Sequence, residues 1–293
     1  MKFFLFIVLL LPFTTLQSQT TPQEFEPGLI SKSGEFGLTI SPDSKTALWV
    51  QSNGKRDTLV IMQSTKKKGR WQQPVVASFS QSDGKWKDID PMFSPDGKTV
   101  LFQSTRKVPG LDNRTGFDIW AVNKEKNGWS KAYHLGNSIN SDSSESYASV
   151  ASNGNIYFMK NNEDGIGSSD IYMSRFVNGQ YTTPQNIGSP VNTKHRESNP
   201  YIAANEEYLL YFSSDPGGFG EVDLFISFNK NGQWTSPVNL GKPINSALAE
   251  FCPFVHATEK RLYFSRQEKS TGRMVEKLFS IPFNVEDYRK QLP

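Results

Sequence analysis

An acidic residue followed by the same succession of short apolar strands recurs five times along this chain, at Glu35, Asp88, Glu145, Glu197 and Glu250. Read off the residue numbers, the intervals are 53, 57, 52 and 53 residues. A fixed period of this length marks stacked supersecondary units, none of which can bury its apolar face alone. The repeat therefore has to be laid out before any single motif is weighed for chemistry.

The second unit shows its parts most clearly. Asp88-Ile89-Asp90-Pro91-Met92-Phe93 runs through the tight-turn sequence Ser94-Pro95-Asp96-Gly97-Lys98 into Thr99-Val100-Leu101-Phe102-Gln103. Phe117 to Val122 supplies a third strand and, after an Asn127-Gly128 turn, Trp129 to Gly136 a fourth. Four short strands per unit make one propeller blade, so the chain is expected to be all-β, a five-bladed β-propeller of four-stranded antiparallel blades. The blades fall at approximately 32–84, 85–141, 142–193, 194–246 and 247–293. Second strands such as Tyr208-Leu209-Leu210-Tyr211-Phe212 are apolar at consecutive positions, as expected where sheets pack on both faces. Pro74, Pro184 and Pro237 suit an outer edge strand, which can lose an N–H without breaking a ladder. The fifth unit lacks a fourth strand, and the segment 24–31, stranded ahead of the first unit, is expected to supply it and close the ring.

Met1 and Lys2 precede an apolar run from Phe3 to Leu11, which reads as a secretory signal peptide over residues 1–18. The run is shorter than the roughly 20 residues a membrane span requires. The expected mature chain is a single propeller domain over 19–293, periplasmic or secreted, monomeric and without a membrane span. Lys and Arg total 32 against 29 Asp and Glu, a balance that gives no electrostatic case for nucleic acid. Cys252, the single cysteine, lies between Phe251 and Pro253 and reads as a small buried residue.

The phrase Ser94-Pro95-Asp96-Gly97-Lys98-Thr99-Val100-Leu101-Phe102-Gln103-Ser104, with Asp118-Ile119-Trp120 after it, resembles the WD40-like β-propeller repeat of bacterial envelope proteins, the type found in the propeller of the Tol system. Trp234-Thr235-Ser236-Pro237 and Gly241-Lys242-Pro243-Ile244-Asn245 are similar to a variant often joined to peptidoglycan-binding domains. The resemblance implies the fold and, by default, contact with a protein or cell-envelope component; it implies no shared reaction. Lys277 departs from the pattern, standing where Asp118, Asp170 and Asp223 begin the third strand.

In a propeller the loops entering each blade and those joining its second and third strands open on one face, here the upper face. The five repeated acids are expected near the channel mouth on that face, as candidate ligand groups. Two carboxylates about 10 Å apart repel by roughly 1.7 kcal/mol at an effective dielectric near 20. They therefore require local hydrogen bonds, water, or a cation in the channel; no cofactor and no metal motif is expected otherwise. Asp57, Asp118, Asp170 and Asp223 read as loop-binding acids. The long loop from Thr105 to Gly116, with Arg106, Lys107, Leu111, Asp112 and Arg114, is the candidate partner loop. The sequence thus supports an exported binding or scaffolding protein, and as an alternative a propeller glycosidase using two of the repeated carboxylates. His134, His195 and His256 form no zinc motif, and no serine lies in a nucleophile elbow.

Overall fold

The computed structural model describes residues 21–81, 83–108, 110, 116–161, 165–270 and 273–292. Residues 1–18 of the expected signal peptide and the loop residues Leu111, Asp112 and Arg114 lie outside them. The chain forms a five-bladed propeller of antiparallel sheets. The inner strands are Glu35–Ile40, Asp88–Phe93, Glu145–Val150, Glu197–Ile202 and Ala249–His256. In the first four blades the later strands follow outward in chain order.

Burial explains the radial order. Five apolar clusters hold the molecule together, and each lies between neighbouring blades. Leu48 and Ile61 of the first blade pack with Val100, Phe102 and Trp120 of the second. Leu101 and Ile119 meet Ile156 and Phe158, Tyr157 and Ile171 meet Leu209 and Tyr211, and Leu210 and Leu224 meet Leu262 and Phe264. Phe254 and Tyr263 close the circle against Phe36, Leu38 and Trp49. The second strands are apolar on both faces because each serves two such interfaces.

The outermost strand is broken rather than continuous. In the second blade it consists of Gly128–Trp129 and Tyr133–His134, both paired with Asp118–Glu125. Pro74 and Pro237 lie in the corresponding breaks, between Arg70–Trp71 and Val75–Val76 and between Gln233–Trp234 and Val238–Asn239.

The chain start completes the fifth blade, through fewer paired residues than the sequence indicated. Gln23 and Glu24 pair with Ser280 and Phe279, and the Phe25 N–H donates to the Leu278 carbonyl. From Glu26 the chain turns inward, the Glu26 carbonyl accepting from the amides of Leu29 and Ile30. This turn inserts Ile30 into the cluster between the fifth and first blades. Lys277 then has a simple explanation: its ammonium lies 3.2 Å from the Glu24 carboxylate, so the acid sits on the closing strand and the cation on the third.

Neighbouring blades also approach backbone to backbone. Glu197 N–H donates to the Ser169 carbonyl, and Glu250 N–H to that of Val222. A Cβ on Gly220 would overlap the Leu248 carbonyl oxygen, and one on Gly167 that of His195. Gly220→Ala is accordingly expected to cost about 1–3 kcal/mol, as for other overpacked sites. Urea unfolding would show this as a lower midpoint, whereas an unchanged midpoint would mean the loop yields freely.

Candidate functional site

Each repeated acid stands at or next to the start of an inner strand, and each carboxylate is buried and supplied with hydrogen bonds by the loop leading into its own blade. Lys32 N–H donates to Glu35 at 2.8 Å. Ser80 donates to Asp88 at 2.9 Å. Glu145 receives the amide and hydroxyl of Ser141, Glu197 those of Thr193, and Glu250 those of Ser246. A further donor comes from the second strand or the loop just beyond it: Arg106 to Asp88 at 2.7 Å, Ser213 to Glu197 at 2.9 Å, Arg266 to Glu250 at 2.7 Å. Burial raises the carboxyls of Glu35 and Glu145 above their ordinary range, and the loop donors act against it. The repeated acids thus clamp the entry loops, and none of the five is among the residues that line the upper cavity.

The third-strand acids divide. Asp170 accepts the amides of Ile166 and Gly167, and Asp223 those of Phe219 and Gly220. Asn186 and Asn239 donate to them from the outer strand. In the second blade His134 takes the asparagine position, its Nε2 lying 3.2 Å from Asp118. Asp57 is exposed and precedes its strand, Leu59–Lys67. In the candidate partner loop, Lys107 is exposed. Arg106 is committed: besides Asp88 it reaches the Phe79 carbonyl at 3.0 Å and lies over the rings of Phe102 and Trp120.

A cavity of about 920 Å³ occupies the upper face instead, and it is lined by residues adjacent to the repeated acids. Immediately before the acids come Lys87, Arg196 and Ala249; immediately after come Phe36, Ile89, Ser146, Ser198 and Phe251. Two places after each acid the inner strand carries a bulge, where the pairing register shifts. The bulge residues are Gly37, Asp90, Tyr147, Asn199 and Cys252, all with φ between +47° and +64°. Four of them carry side chains in a conformation that glycine adopts without strain. Asp90, Asn199 and Cys252 form the cavity floor. Tyr147 crosses beneath them, donating to the Pro253 carbonyl at 3.2 Å. Beyond it, between the first turns of the blades, lies a smaller apolar cavity of about 170 Å³.

The floor is polar and nearly closed to solvent. The Cys252 thiol lies 3.7 Å from Asp90 Oδ1 and 3.6 Å from Asn199 Oδ1, which also accepts the Cys252 N–H. Cys252 is therefore buried, as its setting in the sequence indicated, but among polar groups. Gly37 makes room for this contact: a Cβ there would lie 3.0 Å from Asp90 Oδ1. Burial pushes the Asp90 carboxyl up to about 7; Arg56, and then the Cys252 contact, act against that rise. Arg56 is itself bound to the buried Glu276 at 2.6 Å. Two further cations line the wall, Lys87 and Arg196. Neither has a carboxylate partner among the described residues, and Arg196 lies 4.8 Å from the centre of the Phe212 ring.

A carboxyl whose folded value is raised from 3.8 to about 7 stays protonated in the native state while it ionises in the unfolded chain. Its contribution is complete below the unfolded value and is lost as pH rises through the folded one. At 1.36 kcal/mol per unit, Asp90 alone should remove about 2 kcal/mol between pH 5 and pH 7. Asp90→Asn is expected to flatten that slope in chemical denaturation, and equal slopes in the two proteins would place the titration elsewhere.

No protein-family model and no curated protein matches this chain. Among solved structures, the α-L-arabinofuranosidase from Lactobacillus brevis is similar, with a TM-score of 0.52 and 12% identity over 86% of this chain and 91% of that one. An α-L-arabinofuranosidase from Podospora anserina, solved with cellotriose, gives 0.51 and 10% over 90% and 99%. Hydrazine synthase from Kuenenia stuttgartiensis gives 0.51 and 12% over 80% of this chain, which spans 36% of that one. At such identities the likeness shows the shared propeller fold.

The sequence drew attention to the acids because they repeat. The cavity is lined by their neighbours, which vary around the ring, and a bulge carried on Tyr147 or Cys252 leaves no mark in sequence. The one available signal was disagreement between blades at a fixed place, two residues after each acid.

Proposed function

We propose that this protein is an exported binding module of the cell envelope that receives its ligand in the upper cavity. One observation carries the reading: the positions shared by the blades hold the fold together, while the positions that differ between blades meet at one cavity. A binding site on a repeat scaffold is built in this way, by varying side chains on a rigid frame. The resemblance to WD40-like envelope repeats and the apolar run at the chain start support an envelope setting. Lys87 and Arg196 favour an anionic protein or cell-wall component. Charge reversal of both residues should abolish binding to whichever component of an arrayed envelope-glycan and envelope-protein panel the native chain retains. Retention by the reversed variant would remove the cavity from the binding site.

A carbohydrate-active enzyme is the second reading, favoured by a carboxyl near 7 on the cavity floor. Glu221 is the other carboxylate lining the cavity among the described residues. Such an enzyme needs an acid and a base or nucleophile flanking one bond, so those two residues take the place of the repeated acids as its candidates. Turnover of any glycan that is lost in both Asp90→Asn and Glu221→Gln would establish this reading over simple binding.

A further inference from the structure

The cavity floor carries two polar groups that the fold leaves incomplete. Asp90 and Asn199 are 7% and 8% exposed, and both line the cavity. The Asn199 amide is oriented by the Cys252 N–H, which donates to its Oδ1 at 3.1 Å, so its Nδ2 hydrogens are left over. Among the described residues no partner reaches that Nδ2, and none reaches Asp90 Oδ2. Both residues line the cavity, so a ligand or water there can supply the partner that the fold does not. Both side chains, moreover, are held at positive φ on the bulges of the second and fourth blades, and backbone strain of that kind collects at ligand sites.

We propose that the floor of the upper cavity binds a carboxylate group of the ligand, with Asp90 and Asn199 as its two hydrogen-bond donors and Arg196 and Lys87 as its counter-charge. The proposal rests on the binding reading above and names the ligand's chemistry. A protonated carboxyl is the one state in which Asp90 can donate, and its hydrogen bond to an anion is among the short, strong kind. Asn199 Nδ2 supplies the second donor. The walls above carry unpaired positive charge, and Arg196 is held in place on Phe212. An unprotonated Asp90 reverses the interaction, presenting one carboxylate to another. The groups facing Asp90 are Cys252, Tyr147, Arg56 with its partner Glu276, and Asn199. Burial first, and Asp90 and Cys252 as neighbours after it, hold the Cys252 thiol and the Tyr147 hydroxyl neutral above their ordinary ranges. Arg56 stays paired with Glu276. Asp90 is therefore the floor group that changes charge between pH 6 and pH 8.5.

The same carboxylate chemistry can come from a sugar acid or from an acidic protein side chain. Titrations with D-glucuronate, N-acetylglutamate amide and neutral glucose, followed through the side-chain amide resonance of Asn199 in the full mature chain, separate the sources. One or both acids should shift the resonance at pH 6, and glucose should not. Affinity for the acid that binds should fall about tenfold for each pH unit above 7, the behaviour of a single titrating group. Asp90→Asn, which keeps a neutral donor, should bind at pH 6 and lose the pH dependence. Asn199→Leu, followed through the backbone amide resonance of Cys252, should weaken binding at every pH. Glucose binding as well as the acids, unaltered by Asp90→Asn, would overturn the carboxylate assignment while leaving the cavity as a binding site. A resonance unmoved by all three probes at tens of millimolar would overturn it too, and retention of an envelope component through Lys87 and Arg196 would then show that the broader reading survives.

Discussion

A mature chain that begins at Lys32 instead of Gln19 is expected to lose most of its stability, with a melting temperature lowered by more than about 10 °C, if it folds at all. The segment removed is short, but it stands where the start of the chain pairs with the fifth blade to close the ring. It takes away the outer strand of the fifth blade, the Phe25 ring packed edge-on against Trp71 and Tyr263 at 6.1 and 5.5 Å, and the buried Ile30. Ser31 contributes as well, since its hydroxyl accepts the Leu278 N–H and donates to Glu24. Truncating a buried Ile or Phe costs about 2–5 kcal/mol each, against a total stability of roughly 5–15 kcal/mol. Trp71 and Tyr263 belong to different blades, so the loss falls on the seam between the first and fifth. A peptide of residues 21–31 added in trans should restore part of the lost melting temperature. A truncated chain that melts with the full one would show that the seam holds without the closing strand.

The repeat made this closure legible: four complete strand sets and one set short of a strand left a segment with nowhere else to pair. What the sequence could not convey was how little of 24–31 would be strand. The Glu26 turn and the insertion of Ile30 depend on the two flanking blades, which local pattern does not contain. Lys277 has no explanation in the local pattern because Glu24 lies 253 residues away in the chain and the closed ring makes them neighbours. The repeated acids recur for a local reason. Their recurrence followed from loop geometry, in which Ser141, Thr193 or Ser246 stands four residues upstream as a donor. Asp90 went unnoticed as one residue inside a strand; only the bulge turns it toward the axis.

Arg266→Ala is expected to be the most damaging single change at a repeated acid, costing about 3–5 kcal/mol, because it strands the Glu250 carboxylate in a site it cannot leave. Glu250 is fully buried, and Arg266 approaches it at 2.7 Å while its other nitrogen reaches the Ile244 carbonyl at 2.9 Å and its plane lies over Phe279. The fourth blade shows how the same carboxylate can be satisfied without a cation. Glu197 pairs across the strands with Ser213, in the register that Glu250 shares with Arg266, and the Ser213 hydroxyl donates to it at 2.9 Å. Arg266→Ser should therefore recover a substantial part of what Arg266→Ala loses, although serine is no larger a filler of the space left behind. Acidification distinguishes charge from packing in the alanine variant. A stranded carboxylate takes up a proton on folding, so the deficit should shrink as pH falls toward 4, whereas a cavity left by lost packing is indifferent to pH. Equal deficits for the serine and alanine variants, constant from pH 4 to pH 8, would show that Arg266 acts as an apolar strut over Phe264 and Phe279 and that the Glu250 clamp is complete with Ser246 alone.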